Sequence, residues 1–456
     1  MRLSRRTILQ GVSTLPFAAA GLRTSAFAQS SAPASAIEVP PILFVHGNGD
    51  NDALWITTLW RMESNGIGRE RMFAINFSDP NARNDDKVEQ ANRSSTEDQR
   101  RELSAAIAEL KQRTGVARVA LVGNSRGGYA IRNVIKNGGA GDVSHAVLCG
   151  TPNHGVWASD DMIGSEFNGR GAFLRELNAG ESEVTAGVAF LTLRSDGMDK
   201  YAQADGRFIG KPGVPTNVTA EGPELKGATN LVLGAVDHRE TAYHPRAFRE
   251  IYKFIAGREP ARIAIKPEAS VKLSGLVTGT PGGVPTNRPV TGAIVEIFRV
   301  DPETGARLGE TVYSTKTAAD GRWGPVQVDP AWPLEFVLAS PHAPTTHVYR
   351  SPFLRSSDVV HLRAARPLGP ADAGAGAVIM MSRPRGYFGL PRDVVLFDGK
   401  EPADVKPGVP TDSTATLRLS ADNIGRNIVA QFNEERIVAR AWPAAEDRIA
   451  IAELTY

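Results

Sequence analysis

A serine flanked by glycines, Gly123-Asn124-Ser125-Arg126-Gly127-Gly128, follows the apolar run Arg118-Val-Ala-Leu-Val122 and precedes a helical pattern from Tyr129 to Ile135. G-x-S-x-G recurs often by chance. It gains meaning from a strand before it and a helix after it, where the serine is exposed on a sharp turn. Glycines at both ends let the backbone turn, because a Cβ at either position would clash. The hydroxyl then stands at a helix N-terminus, where the backbone dipole favours developing negative charge. The chemistry implied is nucleophilic attack on a carbonyl through an acyl intermediate on Ser125.

That chemistry needs a base, an acid to orient it and donors for an oxyanion. The base is expected after the last strand. His238 lies four residues beyond a strand ending near Leu233–Gly234, and its competitor His244 abuts Pro245. The acid is sought after the strand Val188–Leu193, where Asp196 and Asp199 stand three residues apart. Asp196 is nearer the strand end. Asp199 is favoured because it precedes Lys-Tyr-Ala-Gln, and both remain candidates. Asp237, beside His238, is expected to be exposed. Val45-His46-Gly47-Asn48-Gly49 follows the first strand, so the backbone N–H groups of Asn48 and Arg126 are the expected oxyanion donors. The loop lacks the G-x-x-x-x-G-K-[ST] spacing of a phosphate cradle. His46 and His145 read as structural, His154 as able to edge the pocket, and Cys149 as a buried thiol. The set calls for no metal or organic cofactor.

Positioning these residues takes a covered parallel sheet. From Val39 to about Gly257, apolar strands alternate with helical patterns, including an amphipathic helix from Ser95 to Arg113 and a last helix from Pro245 to Ile255. After Pro260 helical periodicity gives way to alternating runs such as Ala293-Ile-Val-Glu-Ile-Phe-Arg-Val300, separated by turn chemistry like Asp301-Pro-Glu-Thr-Gly305. The fold class read from this is α/β, a mostly parallel sheet with helices on both faces followed by an all-β, sandwich-like C-terminal region. The expected domains are residues 39–260, a β-sandwich over 263–365, and 378–456 as a second β module or a continuation of the first.

At 456 residues, 41% hydrophobic and 22% charged, the chain has ample material for a large core, and a net charge of +2 provides no field to recruit nucleic acid. Arg2, Arg5, Arg6 and Arg23 belong to a leader: Ser4-Arg5-Arg6-Thr7-Ile8-Leu9-Gln10 resembles a twin-arginine export signal, followed by an apolar stretch and Ala26-Phe27-Ala28. Residues 1–28 are therefore expected to engage the twin-arginine export machinery and be removed, delivering a bacterial protein to the periplasm or beyond. No transmembrane segment is expected. A lone cysteine excludes an intramolecular disulfide.

With serine, His-Gly loop, acid and histidine in this order, residues 39–260 resemble the α/β-hydrolase superfamily, closest to its bacterial lipase and esterase branch. Gly150-Thr-Pro-Asn-His-Gly155 looks like a loop of those lipases. His238, Pro245, Phe248, Phe254, Ile255, Gly257 and Pro260 resemble the end of the catalytic domain in thermoalkaliphilic archaeal lipases with a C-terminal β-domain. Val348-Tyr-Arg-Ser-Pro-Phe353 looks like a strand of that β-domain, which in such lipases helps bind lipid. The resemblance implies an exported serine carboxylester hydrolase, lipase or esterase, with contact to a lipid surface. Alternatives are an extracellular polyester depolymerase that grips polymer through the β region, or a non-catalytic β-domain binding protein. Asn124 and Arg126 stand where many such lipases carry His and Met. The Arg126 cation would either attract anionic substrates or be salt-bridged away from the pocket. Residues 156–186 suggest a small cap. Deleting everything beyond Pro260 is expected to spare soluble short esters and impair insoluble substrates.

Overall fold

Runs such as Ile-Leu-Phe-Val and Val-Ser-His-Ala-Val-Leu-Cys carry apolar residues at successive positions, which suits strands covered on both faces. In the computed structural model, which describes residues 38–209 and 211–456, they form a six-stranded sheet; the leader expected at 1–28 lies outside the described residues. Its strands are β1 (Ile42–Val45), β2 (Met72–Ile75), β3 (Val119–Asn124), β4 (Val143–Cys149), β5 (Ala189–Ser195) and β6 (Thr229–Leu233). All neighbours pair in parallel, in the order β2-β1-β3-β4-β5-β6. The chain steps from β1 to one side and then returns to its other side with β3. The crevice beyond the carboxyl ends of β1 and β3 is thus the topological switch point, where such sheets bind ligands.

Successive β1 residues point to opposite faces. Leu43 and Val45 pack with Leu103, Ile107 and Leu110 of α2 (Thr96–Thr114) and Ile131 of α3 (Arg126–Lys136). Ile42 and Phe44 face α1 (Ile56–Ser64) and α6 (Pro245–Ala256), whose Trp60, Phe248 and Ile251 belong to the same core. Two short helices complete this half, α4 (Ala172–Leu177) in the cap and α5 (Glu240–Tyr243) just after His238. Helix α2 starts where Ser95 and Asp98 cap each other reciprocally and stops at Gly115, φ 69°. Between Val45 and Ser95, where the sequence shows no clear period, lie α1 and the four-residue edge strand β2.

Beyond residue 260 the strands are β7 (Val271–Thr278), β8 (Ile294–Arg299), β9 (Tyr313–Lys316), β10 (Arg322–Val328), β11 (Leu334–Ala339), β12 (Thr345–Arg350), β13 (Ser357–Arg363), β14 (Ala377–Ser382), β15 (Val395–Phe397), β16 (Thr414–Leu419), β17 (Asn427–Phe432), β18 (Glu435–Arg440) and β19 (Arg448–Glu453). One sheet, β16-β14-β19-β12-β11-β8-β9, combines strands from both sides of the Gly/Ala/Pro-rich residues 367–377, with β12 pairing β19 in parallel. A small sheet β10-β7-β13 packs on one part of it and β15-β17-β18 on another. Among the described residues, no helix is long and apolar enough to cross a membrane.

The core under β1 does not stop at the end of the α/β part. Trp60 of α1 meets the Phe353 ring edge-on at 6.2 Å and donates its indole N–H to Ser356 O at 3.0 Å. Val271, Leu273 and Phe336 of the β region lie in the same apolar cluster as Phe44, Trp60 and Ile251. Each such side chain contributes about 1.5–3 kcal/mol by burial, against a total stability of about 5–15 kcal/mol for a domain. A chain ending at Pro260 is therefore expected to lose its cooperative melt and its activity on short and long esters alike, contrary to the expectation from sequence. Circular dichroism and turnover of a C2 ester by the truncated chain check this.

Candidate active site

Ser125 takes φ 53° and ψ −122° between β3 and α3, a conformation uncommon for a residue with a side chain. Its neighbours enforce it. Ser125 N donates to Cys149 O at 2.8 Å, and a Cβ on Gly127 would lie 2.5 Å from Val45 O and 2.6 Å from His46 O. Only glycine at 127 lets the start of α3 pass this close to the chain leaving β1. The loop after β1 is as near: a Cβ on Gly47 would approach Ser125 Cβ to 3.0 Å. Asn48 follows, its side-chain Oδ1 accepting from Ala82 N at 2.8 Å. Arg126 opens α3, so its N–H has no carbonyl within the helix to donate to.

His238 sits in the turn between β6 and α5. Its Nδ1 lies 2.8 Å from Asp199 Oδ2, while Asp199 Oδ1 accepts from Tyr201 N at 2.8 Å. A carboxylate can only accept, so Nδ1 carries the proton and Nε2 offers a lone pair. Nε2 is buried and has no hydrogen-bond partner. The Tyr201 ring stands edge-on to the imidazole at 4.5 Å. Asn124 Nδ2 donates to Cys149 O at 3.0 Å and to His238 O at 3.4 Å, which ties the serine turn to the histidine turn. Ser125, His238, Asn48 and Arg239 line one cavity of about 170 Å³. A larger cavity of about 300 Å³ adjoins it beyond Pro152 and Tyr201 and is edged by His154.

Asp196 is engaged elsewhere: Oδ1 accepts from Met198 N at 3.1 Å and Oδ2 from Ala235 N at 2.7 Å. The Arg126 guanidinium turns away from the cavity. Nε and Nη2 donate to the two Glu166 oxygens at 2.6 Å, and the remaining donors go to Pro80 O, Ser94 Oγ and Ser94 O. Of the two roles the sequence left open for this cation, the structure has it salt-bridged. Glu166 belongs to the cap, so the buried pair fastens the cap over the serine turn.

The other histidines are occupied. His46 Nδ1 meets Gly47 O at 2.8 Å, its Nε2 accepts from Phe77 N at 3.1 Å, and burial pushes its pKa down to about 4. His244 caps α6, accepting from Arg246 N at 3.2 Å, with its pKa also pushed down to about 4 by burial. His154 pairs with Glu183 at 3.1 Å. Cys149 is buried, which raises its thiol pKa far above the ordinary range. Asp237 corrects an expectation: it is fully buried, because it receives Arg239 N, Glu240 N, Tyr387 N and the Arg383 guanidinium. Sequence reasoning also missed Tyr387 and Arg239 as cavity residues, since Tyr387 comes from the far β region with no local signal.

Residues 39–152 match the family model for lipase (class 2), and residues 269–367 match that for the lipase C-terminal domain. The chain thus carries lipase-family matches in both its α/β half and its β region. It is a lipolytic hydrolase of carboxylic esters. No curated protein matches the chain. Among solved structures it is similar to Aspergillus fumigatus lipase B (14% identity, 49% of this chain and 54% of that one, TM-score 0.35). It is also similar to a Paleococcus ferrophilus monoacylglycerol lipase (12%, 48% and 96%, TM-score 0.34) and to a Bacillus licheniformis lipase (19%, 50% and 94%, TM-score 0.31).

Two outcomes follow from the site's electrostatics. Glu166→Ala leaves a buried guanidinium unpaired and is expected to cost about 3–5 kcal/mol, read from the urea midpoint. His244 has a folded-state pKa below its unfolded value, so the stability it contributes is present above about pH 6.5 and lost as pH falls toward 4. His244→Asn keeps a capping side chain without that titration. Its melting temperature is expected to fall less than that of wild type between pH 7 and pH 4.5; His46 retains part of the slope.

Proposed function

We propose that this chain is an exported serine carboxylester hydrolase in which Ser125, His238 and Asp199 act as nucleophile, base and orienting acid. The observation that carries the reading is the 2.8 Å contact between His238 Nδ1 and Asp199, with Nε2 unpartnered and His238 lining the cavity that also holds Ser125. Ser125 Oγ attacks the ester carbonyl as Nε2 takes its proton, and the charge gained by the imidazole is stabilised by Asp199. The carbonyl oxygen becomes an oxyanion that accepts from the backbone N–H groups of Asn48 and Arg126. His238 then protonates the departing alkoxide. Water, deprotonated by the same Nε2, attacks the acyl-enzyme, and its collapse returns the proton to Ser125.

Residues 39–260 supply this machinery, and the strands after 263 form the β region of the same molecule. The paired arginines, apolar run and Ala26-Phe27-Ala28 of the leader support export. Asp199 is the acid in this reading because Asp196 spends both oxygens on backbone N–H groups.

Covalent labelling by a fluorophosphonate tests the nucleophile: Ser125→Ala is expected to lose the label and at least about 10⁴-fold in kcat. Asp199→Asn is expected to lose on the order of 10⁴-fold in kcat, while Asp196→Asn stays within about 10-fold, a rank order read from p-nitrophenyl ester turnover. Equal labelling of wild type and Ser125→Ala rejects the reading. Hydrolysis of polyester film faster than of soluble esters or emulsified triglyceride would redirect the substrate assignment to polymers.

A further inference from the structure

The loop between β14 and β15 leaves the β region and reaches the catalytic half. Arg383, 2% exposed, enters the turn that carries His238. Its Nη1 donates to Asp237 Oδ2 at 2.8 Å and its Nη2 to Glu240 Oε1 at 2.6 Å and Tyr243 Oη at 3.0 Å. Arg392 adds a contact to Glu240 Oε2 at 2.8 Å. Asp237 and Glu240 flank His238, and Asp237 Oδ1 also accepts from Arg239 N and Glu240 N, so the carboxylate that shapes the histidine turn is the one held by Arg383.

Tyr387 lies four residues further along this loop. Its N–H donates to Asp237 Oδ2 at 2.8 Å, and its carbonyl accepts from Arg383. Lys200 Nζ sits 4.0 Å from the centre of its ring and the Arg239 guanidinium carbon 5.1 Å, so two cations from the catalytic half pin the aromatic plane. Both cations are fixed in turn by carbonyls of the β region, Lys200 by Thr411 O at 3.0 Å and Arg239 by Pro384 O at 2.8 Å. The side chain held in this way lines the cavity shared by Ser125 and His238. Tyr387 lies outside the residues matched by either family model.

We propose that Tyr387 is a specificity-determining residue of the ester site, supplied by the C-terminal β region and held in register with His238 by Arg383 through Asp237. The proposal rests on the reading of Ser125 and His238 as the reacting pair. A ring on the cavity wall limits what can sit beside the serine, and a hydrophobic pocket discriminates by about 10–200-fold per methylene accommodated or refused. Arg383 touches neither Ser125 nor the cavity and is a positioning residue.

The test is a series of kcat/KM values on p-nitrophenyl esters from C2 to C12 for full-length wild type, Tyr387→Ala, Tyr387→Phe and Tyr387→Trp. Tyr387→Ala is expected to raise the ratio of C8 to C2 hydrolysis at least about 10-fold. Tyr387→Trp, which narrows the wall, is expected to lower it, and Tyr387→Phe to keep it near the wild-type value. If Tyr387→Ala fails to fold, the Trp and Phe variants carry the test. Ratios within about 2-fold of wild type in the Ala and Trp variants, with all substrates falling in parallel, would leave only a structural wall and overturn the proposal. Ser125→Ala run beside them separates the two failures. Turnover remaining in that variant rejects the Ser125 reading and Tyr387 with it. Unchanged ratios beside an inactive Ser125→Ala reject the Tyr387 assignment alone.

Discussion

The start of α3 and the chain leaving β1 must pass within van der Waals contact, and the site depends on that crossing. Val45 O and His46 O occupy the space a Cβ on Gly127 would need. The crossing brings Gly47 and Asn48 beside Ser125 and holds the serine at φ 53°. Such strain costs about 1–3 kcal/mol. It persists because the surroundings over-determine it: Ser125 N is bonded to Cys149 O, and Arg126 is locked to Glu166 in the cap.

Burial decides which histidine is left available. His46 has both ring nitrogens engaged, His244 is spent on a helix cap and His154 faces Glu183. His238 alone among these combines a carboxylate at Nδ1 with an unpartnered Nε2, and it lines the serine's cavity. The same logic separates the aspartates. Asp196 satisfies the turn it sits in, whereas Asp199 has one oxygen for Tyr201 N and one for the imidazole.

The β region is built into the molecule at two levels. Apolar burial around Trp60 and Phe353 joins it to the α/β sheet. A buried ionic cluster, Asp237 and Glu240 with Arg383 and Arg392, joins it to the histidine turn. Such clusters add little net stability, since desolvation offsets most of the Coulomb attraction, but breaking one is expensive. Its consequence here is positional: directional hydrogen bonds fix one loop against another where apolar contacts would allow sliding.

Local chemistry was enough for much of this. The apolar runs of five of the six strands, the helix from Ser95, the Gly-flanked Ser125 and the late His238 are legible because period, capping and turn residues act within a few positions. The four-residue β2 and helix α1 escaped, having too few residues or too mixed a pattern for any period to show. The contacts that need distant partners were beyond reach. Asp196 and Asp199 both stay candidates in sequence, with Asp199 favoured only by the residues after it, and what the folded chain brings to their oxygens is what sets them apart. Asp237 looked exposed because its arginine is 146 residues away. Tyr387 carries no motif, and only the docking of the β region onto the histidine turn puts its ring on the cavity wall. Sequence by itself determined most of the elements and the residue types able to do the chemistry. Tertiary structure decided which of them meet, because burial and hydrogen-bond satisfaction are settled by partners far apart in the chain.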